Sequence, residues 1–338
     1  MKKRVQLLLL TLLVTSTIIA QIKPVFVPED VQSNDIQEGC YCKPGVRYRS
    51  PSKGIRLNYG LISEGRFRED NTLFSPFSNY NSFQHLEFDI KIPIIIKDDF
   101  KLLLGYKYFT EFFSFDQFGL DYTEVFQHLG KVSLKSNSYS LIISKPINAT
   151  QYMALRFRYS ANGDYEGWTA FENKYSIYKV LGIYAFKPNE DLEWAIGLNI
   201  SKSFRRTNFL PFLVYNKNFS KRWGMEAIFP GYIYGRYNIG EEDILLFGAQ
   251  YGSRSYRIDL EGADRKSLAY AYNHSELLVS TVFEHQFIPW VWGNLKLGYQ
   301  INFSSDFESR SDSAASFNAE PTNGIYFQVG LFVSPPRD

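Results

Sequence analysis

Residues Asn294 to Phe303 alternate without a break. Leu295, Leu297, Tyr299, Ile301 and Phe303 fall on one face, and Asn294, Lys296, Gly298, Gln300 and Asn302 on the other. A side-chain period of two marks a β-strand. Here one face is wholly large and apolar and the other polar, charged or glycine, and the same pattern returns along most of the chain. Lipid offers no partner to a free backbone N–H or C=O, so strands cross a membrane only as closed barrels, with apolar side chains outward and polar ones in the lumen. The alternation therefore predicts an all-β, transmembrane, antiparallel up-and-down β-barrel.

The N-terminus agrees with export. Lys2, Lys3 and Arg4 precede a mostly apolar stretch from Leu7 to Ile19, and Ala20 offers a small residue for cleavage before Gln21. This reads as a signal peptide over residues 1–20. Its apolar core is shorter than the about 18 residues a spanning helix needs. No cysteine follows Ala20, which argues against lipoprotein processing there, and no later run has the length of a membrane helix. The 29 Phe and 24 Tyr suit the aromatic girdles at the two rims of a barrel. A mean hydropathy of -0.24 argues against an inner-membrane protein and fits a barrel, whose lumen and loops dilute the lipid-facing half. Without the three cations of the signal peptide, the formal charge of +2 becomes -1, which gives nucleic-acid binding no support. The expected surroundings are outer-membrane lipid and the barrel-assembly machinery, in the cell outer membrane.

Residues 21–53 read as a periplasmic leader or a lumen plug, because Gln21 to Ser50 is rich in Pro, Asp, Glu and Gln and keeps no period. Cys40 and Cys42 lie there, in a C-x-C that an exported protein can oxidise, although closing so small a ring strains the bond. Two thiols alone make a poor metal site, and no phosphate, zinc or calcium loop appears, so no cofactor is expected.

The barrel domain is placed at 54–334. Strands are predicted at Gly54–Ile62, Phe83–Ile96, Phe100–Phe113, around Val132–Ser144, Met153–Tyr159, Tyr175–Phe186, Leu192–Ile200, Phe209–Tyr215, Trp223–Asn238, Ile244–Ile258, Leu277–Phe287, Asn294–Phe303 and Ile325–Val333. Ser63–Ser82 reads as a polar loop, and Asp116–Gly130 as a long connection with room for a short helix. Tight connections such as Lys97-Asp98-Asp99 and Pro188–Asp191 alternate with long ones, as periplasmic turns and extracellular loops do. This count is odd, whereas a bacterial single-chain barrel needs an even one. Splitting Trp223–Asn238 at Pro230-Gly231 gives 14 strands, and dropping one weak stretch gives 12, which chain length slightly favours.

The order of signal peptide, short leader, IPIIIKDDFKLLLGYKY, FPGYIYGRY and a final GIYFQVGLFV resembles an uncharacterised family of bacterial outer-membrane β-barrel proteins, a domain of unknown function. The likeness spans nearly the whole mature chain and carries no catalytic or ligand residues with it. The chain departs from the usual aromatic terminal residue, since Val333 to Asp338 follow Phe332.

Chemistry is sparse. His85, His128, His274 and His285 are the four histidines, and only Asn273-His274-Ser275-Glu276 gathers base-type and nucleophile-type residues. Sequence neighbours point to opposite faces of a strand, so no catalytic residue is assigned and no enzyme is expected. Lys101, Lys107, Glu111, Arg156, Arg158 and Lys296 are the lumen-facing candidates, alongside acids such as Glu87, Asp89, Glu193, Glu226 and Glu284. Both signs together suit either a polar channel or a paired network that closes it. The expected function is a passive channel for small solutes or apolar compounds. The alternative is a structural or receptor barrel using the loops Asp116–Gly130 and Ser304–Asn323, and a lipid-modifying enzyme is the weakest reading.

Overall fold

The computed structural model describes residues 44–69, 77–118, 123–204, 206–260, 268–309 and 316–335. The predicted signal peptide, most of the leader, and Cys40 and Cys42 lie outside the described residues.

In chain order the strands are β1 (Ile55–Ile62), β2 (Gly65–Glu69), β3 (Phe77–Ile96), β4 (Lys101–Gln117), β5 (Leu134–Asn148), β6 (Gln151–Gly163), β7 (Ser176–Asn189) and β8 (Leu192–Lys202). They continue as β9 (Thr207–Asn218), β10 (Trp223–Phe229), β11 (Tyr232–Asn238), β12 (Asp243–Leu260), β13 (Leu268–Ile288), β14 (Val291–Ser309), β15 (Phe317–Pro321) and β16 (Gly324–Val333). One α-helix, α1 (Thr123–Leu129), links β4 to β5. β1 pairs antiparallel with both β3 and β16, which closes the sheet on itself. Short β2 and β15 pair with each other beside the ring, which leaves a barrel of 14 strands.

Strand number resolves in favour of the split at Pro230-Gly231, where β10 ends and β11 begins. The 12-strand count that chain length slightly favours is therefore not the one adopted. The loops Ser63–Ser82 and Ser304–Asn323 are also corrected, since they contain β2, the first turns of β3, the end of β14 and β15. These pieces were hidden because they have no lipid face. Phe67 and Phe307 are buried in a core instead of alternating outward.

Large apolar side chains point out around the wall, among them Ile92, Ile94, Leu104, Ile196, Leu198, Leu295, Leu297 and Leu331. Exposed Trp194, Phe219, Trp223, Phe287 and Trp290 gather at the end with the short turns. Tyr139, Trp168, Phe171 and Tyr178 gather at the other, where Trp168 stacks on Tyr108 at 4.4 Å. An apolar belt between two aromatic girdles is how a barrel meets a bilayer. The start of β1 and the end of β16 lie at the short-turn end, where Gly54 N–H donates to the Val333 carbonyl and Ser334 N–H to that of Trp290. That end is periplasmic.

Candidate functional site: a layered lumen

The inward residues form three layers. At the periplasmic end, Glu193 of β8, Glu226 of β10 and Glu284 of β13 point into the barrel. Residues 44–53 lie against this arc. Gly45 N–H donates to Glu193 Oε1 at 2.6 Å, and Ser50 N–H to Glu226 Oε1 at 3.0 Å. Ser50 Oγ and Lys53 Nζ each reach Glu284 at 2.6 Å. Asn218 and Asn238 donate to the carbonyls of Arg47 and Tyr48. A segment without a period has no strand partner, so several of its backbone groups are satisfied by lumen side chains, while Arg47 N–H donates to the Glu190 carbonyl at 3.0 Å.

The Arg47 guanidinium makes a two-pronged contact with Asp191 in the β7–β8 turn, at 2.7 and 2.6 Å. That contact first, and a hydrogen bond from Asn218 second, lower the Asp191 carboxyl from its ordinary 3.8 to about 2.

The middle layer is ionic. Arg56 pairs with Glu87 and with Asp89 (3.1 Å), Lys91 with Asp89 (3.5 Å) and Lys107 with Glu87 (3.2 Å). Above it Arg254 of β12 reaches Glu276 at 2.9 Å and, on β4, Glu111 at 3.3 Å. His85 takes part through Tyr326, whose hydroxyl lies 3.1 Å from its Nε2. Its ring occupies the space a side chain at Gly60 would need, since a Cβ there would stand 2.2 Å from His85.

The outer layer is apolar. Phe67, Phe83, Phe113, Tyr256, Tyr272, Phe307 and Phe317 pack with Val125, Phe126 and Leu129 of α1. The upper half of β12 crosses the mouth to reach this core. Arg257 pairs with Gly163 at the end of β6, and Asp164 N–H donates to the Arg257 carbonyl at 3.1 Å. Asp259 N–H donates to Asp164 Oδ2, and Lys174 Nζ lies 3.2 Å from Asp259.

That crossing leaves the wall uneven. β10 pairs with β9 only over Leu213–Asn218, and β11 pairs with β12 only as far as Gln250. Among the described residues, 207–212 of β9 and 252–256 of β12 therefore have no strand neighbour on that side above the β10–β11 hairpin, whose tip accepts the Tyr251 N–H at the Gly231 carbonyl, while Asn162 Nδ2 donates to the Ser255 carbonyl. Phe209, Leu210, Phe229 and Tyr251 are exposed there, and Pro211 fits an edge because it has no N–H to pair. Six positions separate Trp223 from Phe229, which at about 3.3 Å each and a tilt of about 40° puts the hairpin tip about 15 Å up a belt about 25 Å tall. The gap thus opens at the depth of lipid. Between the lower and outer layers lies a cavity of about 370 Å³, lined by Glu87, Glu111, Arg254 and Lys296, by apolar Phe83, Phe109 and Leu278, and by Tyr232, Gln250 and Gly252 beside the gap.

Of the six lumen candidates, Lys107, Glu111 and Lys296 lie in or beside this cavity. Arg156 and Arg158 sit apart on β6, and Lys101 stands near the periplasmic turn. Arg254, Lys179 and Ser50 were not singled out by sequence. Each sits in an ordinary alternating or irregular stretch, and only the fold says what it faces. His274 Nε2 is 3.0 Å from Glu276, and Ser275 points to the other face of β13. His285 is paired with Asp243 at 2.7 Å near the periplasmic rim, which explains an imidazole in line with outward Phe283 and Phe287. Among the described residues no cluster is arranged to hold a metal ion.

No family model and no curated protein matches the chain. Solved structures that do match include a Pseudomonas aeruginosa FadL homologue (9% identity, 83% of this chain and 89% of that one, TM-score 0.41). The P. putida toluene transporter TodX matches at 7% identity over 86% and 92% of the chains (TM-score 0.38). An outer membrane channel from P. putida F1 matches at 10% identity over 86% and 99% (TM-score 0.39). The chain's own closed ring, apolar belt and paired girdles make it an outer-membrane β-barrel protein.

Proposed function

We propose that the barrel is a gated passage for small solutes, held shut below by residues 44–53 and above by the crossing of β12 to β6. The observation that carries this reading is the cavity of about 370 Å³ between the two closures, lined by both charged and apolar side chains. A barrel serving only as a rigid anchor would gain more from a packed apolar interior than from buried charges that must be paired. The segment 44–53 is the simpler gate, because it is fixed mostly by hydrogen bonds to side chains and has no strand partner before Gly54.

A second route is supported by the unpaired edges of β9 and β12. An apolar compound in the cavity would leave sideways between Leu210 and Tyr251 into lipid, with no need to cross the polar outer rim.

Proteoliposomes test both readings. Swelling in small sugars should be slow with the full chain and fast after deletion of residues 44–50. Uptake of an apolar aromatic dye should fall several-fold with Leu210→Glu while sugar flux is unchanged. Absence of both fluxes from all three proteins would refute the passage and favour a structural or receptor barrel.

A further inference from the structure

Among the described residues, the lumen wall formed by β3 to β7 carries more positive charge than the acids beside it neutralise. Lys91, Gly105, Ser140, Arg158 and Lys179 stand directly opposite one another in a row across five strands. Arg156 lies two positions along β6 on the same face, and Lys107 two positions along β4. The acids within reach are already engaged. Glu87 holds Arg56 and Lys107, and Asp89 holds Arg56 and Lys91. Arg156, Arg158 and Lys179 have no ion pair among the described residues, and the Arg156 Nε is buried without a hydrogen-bond acceptor.

This placement opposes elementary preference. Like charges directly opposite in adjacent strands repel, and Arg158 faces Lys179 in this way. A buried guanidinium nitrogen without an acceptor also costs free energy. Around the three cations the wall is lined by small groups. Ser138 and Ser160 are hydrogen bonded at 2.8 Å, and Ser140 and Gly105 complete the row. Small side chains therefore flank the three cations on the lumen wall, and Ser140 Oγ donates to the Gly105 carbonyl.

We propose that Arg156, Arg158 and Lys179 form a binding subsite for the oxyanion group of a small polar solute, a carboxylate or a phosphate. Two guanidinium groups supply planar, paired donors suited to such an anion, and the ammonium adds a third charge. The bound anion supplies the acceptor that Arg156 lacks and relieves the repulsion between Arg158 and Lys179. The subsite deepens the passage reading, since it names the class of solute, and it rests on the lumen being reachable from water.

The test is calorimetric titration of inorganic phosphate, and separately of acetate, into the detergent-purified, folded full chain. Saturable binding is expected, weakened about tenfold or more by Arg156→Gln with Arg158→Gln, because two charge-assisted contacts are lost. Lys179→Gln alone should weaken it several-fold and serves where the double variant loses heat-modifiable migration. Lys101→Gln, near the periplasmic turn, should leave it unchanged. No saturable binding to the wild type, or equal binding by the Lys179 variant, would overturn the subsite. Phosphate binding without any flux through proteoliposomes would keep the subsite and refute the passage alone.

Discussion

Leu295→Arg is the most discriminating perturbation of the lipid-facing assignment. Leu295 is exposed on the outer face, between Phe283 of β13 and Val329 of β16. It lies five positions beyond the girdle residue Trp290, so about 3.3 Å per residue at a tilt of about 40° puts it about 13 Å into a belt about 25 Å tall. That is close to the bilayer midplane, where an arginine on the lipid face costs about 2 to 4 kcal/mol and near the interface only about 0 to 1. Phe287→Arg, in the periplasmic girdle, is the matched control. Lys296→Gln, one residue away on the lumen face, keeps a polar group near Gln250 and should be nearly neutral. Reversible urea unfolding in liposomes, followed by heat-modifiable migration, gives the three free energies. If Leu295→Arg cost no more than Phe287→Arg, or if Lys296→Gln cost as much as Leu295→Arg, the register of β14 or the membrane position would be wrong.

Three further outcomes are expected. Arg254→Met strands Glu111 and Glu276 as buried carboxylates and should lower stability by about 3 to 5 kcal/mol in urea unfolding, with partial recovery on adding Glu111→Gln. The Asp191 carboxyl is lowered in the folded chain, so its contact with Arg47 contributes fully above about pH 4 and is lost as the pH falls toward 2. Hydrogen-exchange protection of residues 44–53 should drop across that window, and Asp191→Asn should remove the step. Finally, replacing Val125 and Leu129 of α1 by Ser should loosen the outer core and raise exchange in β2 and β15, while the periplasmic layer keeps its protection.

The parts of the fold that meet lipid were legible, because lipid imposes a strict period of two on strands such as Asn294–Phe303. Parity then pointed to the turn at Pro230-Gly231, although chain length pulled the count the other way. The outer closure was not legible. Residues 251–260 of β12 alternate like any other strand, and nothing local says that Arg254 meets Glu111 on the far wall or that Arg257 pairs with Gly163. The short β2 and β15 lack a lipid face and so lack the pattern. In the lumen, sequence placed Lys107, Glu111 and Lys296 on the polar face, but the division into paired groups and the unpaired Arg156 and Arg158 is a matter of long-range register. Residues 44–53 gave only the absence of a period, which fits a free leader as well as a segment hydrogen bonded to Glu193, Glu226 and Glu284.

Single-channel current in planar bilayers, compared between the full chain and one lacking residues 44–50, bears most directly on the gated lumen. Heat-modifiable migration verifies that both are folded. The full chain is predicted to stay closed or to open only in brief steps, and the shortened chain to carry a sustained current, because Glu193 and Glu226 lose the segment that covers them while Lys53 keeps Glu284 paired. Equal currents from the two folded barrels would contradict the account.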